Sequence, residues 1–131
     1  MIVVDSSAWV DFLRGAGTSQ DTGVQTLVLR NEAVVPDVVR LEILAGAGTE
    51  ARAAELGRLL ARGVAATSLS QDYDLAAELF RRARRSGATV RSLVDCLIAA
   101  MCLRLELPVL ARDRDFEVLS EISTLVVLPE V

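Results

Sequence analysis

From its first residues the chain alternates short apolar runs with stretches whose apolar residues recur at helical spacing. Met1–Val4 is a continuous apolar run broken by Asp5-Ser6-Ser7, the pattern of a strand covered on both faces. Ala8–Leu13 has helical spacing and stops at Gly15-Ala16-Gly17. A polar loop is expected over Thr18–Thr22, then a short helix over Val24–Arg30 with Val24, Leu27 and Val28 inward. Ala33–Val35 predicts a second strand, and Pro36 and Asp37 start a helix through Leu44 and Ala45, as a proline and an acid near the first turn favour. Within it Glu42 is flanked by apolar residues, more often the setting of a solvent-facing acid, but it shares a side of the helical wheel with Val38, Leu41 and Ala45, which leaves an inward orientation open.

After a break at Gly46–Thr49, Glu50–Arg62 is an amphipathic helix carrying Ala54, Leu56, Leu59 and Leu60. Val64–Ala66 is a third strand, and Ser70–Ser86 a long helix closed by Gly87. Ser92 caps a helix running to Leu105, apolar on almost every face, so this helix is expected to be buried. Pro108 opens a strand over Val109–Ala111, Phe116–Leu119 is a short helix, and Leu125–Val127 a last strand before Pro129. The alternation predicts an α/β fold, a three-layer α/β/α sandwich around a short, mainly parallel central sheet. No repeat or linker divides the chain, so residues 1–131 are expected to form one domain.

In an open parallel sheet, sites form beyond the carboxyl ends of the strands. Asp5 and Asp113 fall at such ends, with Asp115 close behind, and Asp95 lies in the first turn of the helix leading into Asp113's strand. Taken singly, each acid is as well explained as a helix cap or a surface residue. Glu42 too lies early in a helix that follows a strand. Four converging acids would repel one another. Divalent cations resolve this, and an all-oxygen donor set selects Mg²⁺ or Mn²⁺ over zinc.

Composition narrows the chemistry. The chain has no His, and its 14 basic residues are all Arg, which excludes histidine bases, P-loop lysines and Schiff bases. A net charge of −4 gives no global field to attract nucleic acid. The local cluster Arg81, Arg82, Arg84 and Arg85, with Arg91, is either a solvated face or a phosphate-contacting edge. Aromatic residues make up only 4%, too few for a base-stacking platform. Cys96 and Cys102 lie on different sides of one predicted helix and cannot bridge each other without breaking it. No apolar run reaches membrane-spanning length, so a cytoplasmic location is the default. An apolar content of 52% and a mean hydropathy of +0.40 are high for a chain this small, and imply an apolar patch that meets a partner.

At IVVDSSAWVDFLRG, RLEILAG, SLVDCLIAAM and VLARDRDF, in that order, the sequence resembles the PIN-domain family, and within it the VapC-type toxins of bacterial toxin–antitoxin pairs. The resemblance covers essentially the whole chain. It implies that Asp5, Glu42, Asp95 and Asp113 are the metal-binding catalytic acids. Asp115 would be an accessory acid, and Ser6 the supporting hydroxyl, where Thr is more common. It further implies a Mg²⁺- or Mn²⁺-dependent endoribonuclease that cuts tRNA, rRNA or mRNA, forms a homodimer and is silenced by a cognate VapB-like antitoxin. Glu42 would be a direct ligand or act through water. Arg14, Arg112 and the Arg81–Arg91 group are the candidates for RNA docking. Two other readings are a non-catalytic PIN-like module, which would have lost acids, and an acidic Mg²⁺-dependent phosphatase. The phosphatase wants an Asp where Ser7 stands, and usually a Lys.

Overall fold

The computed structural model describes residues 1–15 and 19–129. Its centre is strand β1 (Ile2–Val4), whose Val3 and Val4 are fully buried. On one side of β1 lie β2 (Ala33–Pro36) and then β3 (Val64–Ala66); on the other lie β4 (Val109–Leu110) and then β5 (Val127–Leu128). Every pairing is parallel, with Val3 in register with Val34 and Val109, and Val4 with Leu110.

The order β3-β2-β1-β4-β5 fixes where helices go. Right-handed crossovers in one direction put α1 (Ser6–Arg14), α2 (Ser19–Leu29), α3 (Asp37–Ala45) and α4 (Glu50–Leu60) on one face. Crossovers in the other direction put α5 (Ser70–Arg85), α6 (Leu93–Leu105) and α7 (Arg114–Glu121) on the opposite face. Packing follows this division: α1 against α2, α3 against α4, α5 against α6, and α7 against both of the latter. The chain leaves the sheet in opposite directions after β1 and β4, which makes their shared carboxyl end the topological switch point. Asp5 and Asp113 emerge there, and the Asp5 N–H donates to the Leu110 carbonyl at 3.0 Å.

Helix α6 is the buried one that its sequence predicts, with every residue from Asp95 to Cys102 buried. Cys96 and Cys102 are free and buried within it. Its far end is tied to α5 by Arg104, which bonds both oxygens of the buried Asp72 at 2.8 and 3.0 Å. At Gly63 the backbone passes so close to β2 that a Cβ would lie 2.6 Å from Val35 Cγ2, so the turn into β3 needs glycine. No helix among the described residues is long and apolar enough to cross a membrane.

Several boundaries differ from the expectations. The Thr18–Thr22 loop is, from Ser19 onward, the first turn of α2, because a polar first turn carries no hydrophobic period to reveal it. Thr18 itself lies outside the described residues, as does part of the predicted Gly15–Gly17 stop; within it, Gly15 ends α1 in the left-handed conformation, φ 59°. The last strand is Val127–Leu128 rather than Leu125–Val127. Leu125 is buried as a core residue ahead of the strand, and Val126 is 57% exposed. Helix α7 is longer than predicted, from Arg114 to Glu121, since Asp113 caps it.

On α3 the buried residues are Val39 and Ile43, while Leu41 is 66% exposed. The wheel face through Val38, Leu41 and Ala45 is therefore not the core face, and Glu42 does not point into the core. An exposed apolar patch does exist. Tyr73 and Leu93 are more than half exposed and line, with Ala76, Ala77, Val94 and Leu97, an apolar groove of about 250 Å³ between α5 and α6.

Candidate metal centre

Asp5 caps α1 and also faces a cleft, and it divides these roles between its two oxygens. Oδ2 accepts from the Ser7 N–H at 3.1 Å and from Ser7 Oγ at 2.7 Å. Oδ1 is buried and has no hydrogen-bond partner. Asp113 caps α7 in the same manner, Oδ1 accepting from the Asp115 N–H at 2.9 Å. Asp95 sits one turn into α6, where its N–H donates to the Ser92 Oγ that caps the helix (3.3 Å). Its Oδ2 is a second buried carboxylate oxygen without a partner. Asp115 fastens α7 to the approach of α6, its Oδ2 accepting from the N–H groups of Arg91 and Ser92 at 2.9 and 3.0 Å.

These acids converge. One oxygen each from Asp95, Asp113 and Asp115 lies within 4.8 Å of the others. Asp5, Glu42, Asp95 and Asp113 line one cleft of about 340 Å³. Burial pushes Asp95 up to about 8, and the charges of Asp5, Asp113, Asp115 and Glu42 add to that rise. Burial also raises Asp5, against the opposing Ser7 and Ser6 hydrogen bonds, with a further push from Asp113. Glu42 reaches the cleft from α3 and is raised by burial and by Asp5, partly offset by the Ser6 hydroxyl.

The donor set fits a hard divalent cation. Two buried carboxylate oxygens without donors, on acids that repel one another, would cost several kcal/mol if left uncompensated. A cation between them would supply the missing partner, and Asp5, Asp95 and Asp113 would hold it, with Glu42 and Asp115 at the margin. Softer metals find little here. The chain has no His, and burial with nearby acids pushes the Cys96 thiol up to about 11. The Cys102 thiol is pushed up to about 12.

The hydroxyl bonded to Asp5 belongs to Ser7, not Ser6, because a capping side chain reaches the N–H groups of the second and third helical residues. Ser6 lines the cleft beside Glu42 instead. Ser7→Ala removes a bond that orients Asp5 and favours its charged form. Its expected effect is a roughly tenfold loss of Mn²⁺ affinity, read by calorimetric titration with fold retained. Unchanged affinity would mean that Asp5 does not depend on this contact.

The arginines divide. Arg14 and Arg112 line the cleft. Arg82 is engaged elsewhere, with Glu78 and the Ile122 carbonyl, and Arg84 lies over the Phe80 ring. The Arg81, Arg82, Arg84 and Arg85 side chains do not line the cleft, and Arg91 contributes its backbone N–H to Asp115. Sequence reasoning passed over Asp11, which is buried, lines the cleft and pairs with Arg112. Its i, i+4 spacing from Ser7 was the available signal.

Known proteins resemble this chain in sequence and in fold. The PIN domain family model matches residues 2–122. A VapC ribonuclease of Mycobacterium bovis and ribonuclease VapC11 of Mycobacterium tuberculosis are each 36% identical over 129 residues, covering 95% of this chain and 96% of theirs. Among solved structures, VapBC2 from Rickettsia felis, bound to a promoter DNA fragment, superposes with a TM-score of 0.78 at 17% identity, covering 98% of both chains. FitAcB from Neisseria gonorrhoeae gives 0.77 at 17% identity, covering 98% of this chain and 96% of its own. At such identities the structural likeness concerns the fold.

Proposed function

The chain belongs to the PIN-domain family, and from that premise we propose that it is a divalent-metal-dependent endoribonuclease, the toxin of a type II toxin–antitoxin pair. The observation that carries the reading is the pair of unpartnered, buried oxygens on Asp5 and Asp95, brought to one acid-lined cleft at the sheet's switch point. Mg²⁺ or Mn²⁺ is the cofactor the oxygen donors favour. A bound ion there supplies a Lewis acid for a phosphate oxygen and makes the attacking water more acidic.

The chain's own residues do the rest. Asp5, Asp95 and Asp113 hold the ion, and Ser7 and the α7 cap keep the Asp5 and Asp113 carboxylates oriented. Glu42, exposed like Asp113 and raised in pKa by burial and by Asp5, orients the water or takes its proton. Asp115 holds the Arg91–Ser92 backbone, and so the start of α6, against α7. Arg14 and Arg112 bring positive charge to an otherwise acidic cleft, where the RNA backbone must dock. The partners that follow are an RNA substrate, a VapB-like antitoxin and a second copy of the chain, in the cytoplasm. The apolar groove between α5 and α6 is available surface for such assembly.

The ends of the RNA fragments test the chemistry. Water as nucleophile leaves no 2′,3′-cyclic phosphate, and the chain has no His or Lys to activate a 2′-hydroxyl. Fragments free of cyclic phosphate are expected. Cyclic ends would contradict hydrolysis by water.

A further inference from the structure

Asp11 lines the acidic cleft with Asp5, Glu42, Asp95 and Asp113, yet the metal chemistry proposed above leaves it unused. It lies on α1 one turn after Ser7 and is only 7% exposed. A buried carboxylate needs a partner, and its partner is Arg112, whose Nη1 is 2.8 Å from Oδ2. That contact has the distance of an ion pair without the alignment of a hydrogen bond, for Asp11 Oδ2 has no hydrogen-bond partner among the described residues. The contact is made through Nη1, and with the side chain 58% exposed Arg112 keeps other guanidinium donors available. The backbone beneath it is fixed: the Arg112 N–H donates to Ser7 Oγ at 3.3 Å, and Ser7 Oγ donates to Asp5.

Nor is Arg112 spent on neutralising the metal-binding acids. Its one ion pair among the described residues is with Asp11. An arginine suits such a post. Its planar fork can lie along one carboxylate and still present donors to a phosphate, which a lysine point charge cannot do.

We propose that Asp11 is a positioning residue that holds Arg112 at the edge of the cleft as the docking point for an RNA phosphate flanking the one that is cut. This rests on the endoribonuclease reading. Asp11 keeps the guanidinium from collapsing onto the metal-binding carboxylates, and Arg112 touches the substrate.

The test uses the full chain with Mn²⁺ and a quenched fluorogenic single-stranded RNA of randomised sequence. Asp11→Asn and Arg112→Ala are each expected to raise KM roughly tenfold while kcat stays within about twofold of the parent. The dependence of log(1/KM) on log salt should become shallower by about 0.7, the signature of one lost phosphate contact on a single strand. Mn²⁺ affinity should not change. The double variant should be no worse than Arg112→Ala alone, since Asp11 acts through Arg112. Asp11→Glu, which keeps the charge on the same turn, should recover most of the loss and covers the case in which Asp11→Asn does not fold.

Additive effects in the double variant would overturn the assignment. So would weaker Mn²⁺ binding or a lower kcat at unchanged KM in Asp11→Asn, which would put Asp11 in the metal centre. A parent that cleaves RNA beside variants of unchanged KM removes the Asp11 role alone. A parent inactive with every metal removes the endoribonuclease reading, and this inference falls with it.

Discussion

Asp95→Asn is expected to abolish RNA cleavage, by a factor of about a thousand or more, and at the same time to raise the melting temperature of the metal-free protein at neutral pH. The loss follows from the site. Asp95 is buried at the first turn of α6, has an unpartnered Oδ2 and lines one cleft with Asp5 and Asp113, and an amide there cannot hold a divalent cation as a carboxylate does. Losses of this size are ordinary when an electrostatic component of a catalytic centre is removed. The gain follows from the same facts. Asp95 is held up to about 8 by burial and by four acidic neighbours, so its charge opposes folding whenever no cation is bound. An isosteric neutral side chain removes that opposition. A core residue with a purely structural role would show loss of stability instead. Comparing thermal melts in EDTA with cleavage rates in Mn²⁺ distinguishes the two, and a destabilised variant that still cleaves would contradict the assignment.

The second large effect is on stability as a function of pH and metal. Asp95 has a folded-state pKa of about 8 against an ordinary value of 3.8. Between those values the folded state keeps a proton that the unfolded chain has lost, so folding becomes less favourable as pH rises. Asp5 and Glu42 are shifted in the same direction. Metal-free protein is therefore expected to lose several degrees in melting temperature between about pH 5 and pH 8. A divalent cation should reverse the loss. At a hundred times its Kd, a ligand that binds only the folded state adds about 2.7 kcal/mol, which is roughly 10 °C for a chain of this size. The reversal should be large at pH 8 and small at pH 5, where protons compete for the same oxygens. A metal effect independent of pH would point to a site elsewhere.

Much of this arrangement is legible in the sequence, for identifiable reasons. Strands buried on both faces leave continuous apolar runs, so β1, β2 and β4 stand out along the chain. The acids stand out because they interrupt those runs at their carboxyl ends. What sequence could not show was how one carboxylate could serve two purposes. Asp5 as helix cap and Asp5 as metal ligand look like rival readings until the structure assigns Oδ2 to Ser7 and leaves Oδ1 free.

Periodicity failed where polarity and burial part company. The polar first turn of α2 resembles a loop. The apolar stripe through Leu41 lies on the exposed side of α3, so Glu42 reaches the site without facing the core. Asp11, set between Val10 and Phe12, resembles the solvent face of an amphipathic helix. Its ion-pair partner is Arg112, about a hundred residues away in the chain, which no local pattern reports.

The converging acids should make cleavage by this chain depend on a divalent metal, which incubation of purified, partner-free protein with total RNA in Mg²⁺, in Mn²⁺ and in EDTA reads out. Discrete fragments that form with either metal, disappear in EDTA and return when metal is restored are the expected result. Cleavage that persists in EDTA, or its absence with both metals from folded protein that binds Mn²⁺, would contradict the account.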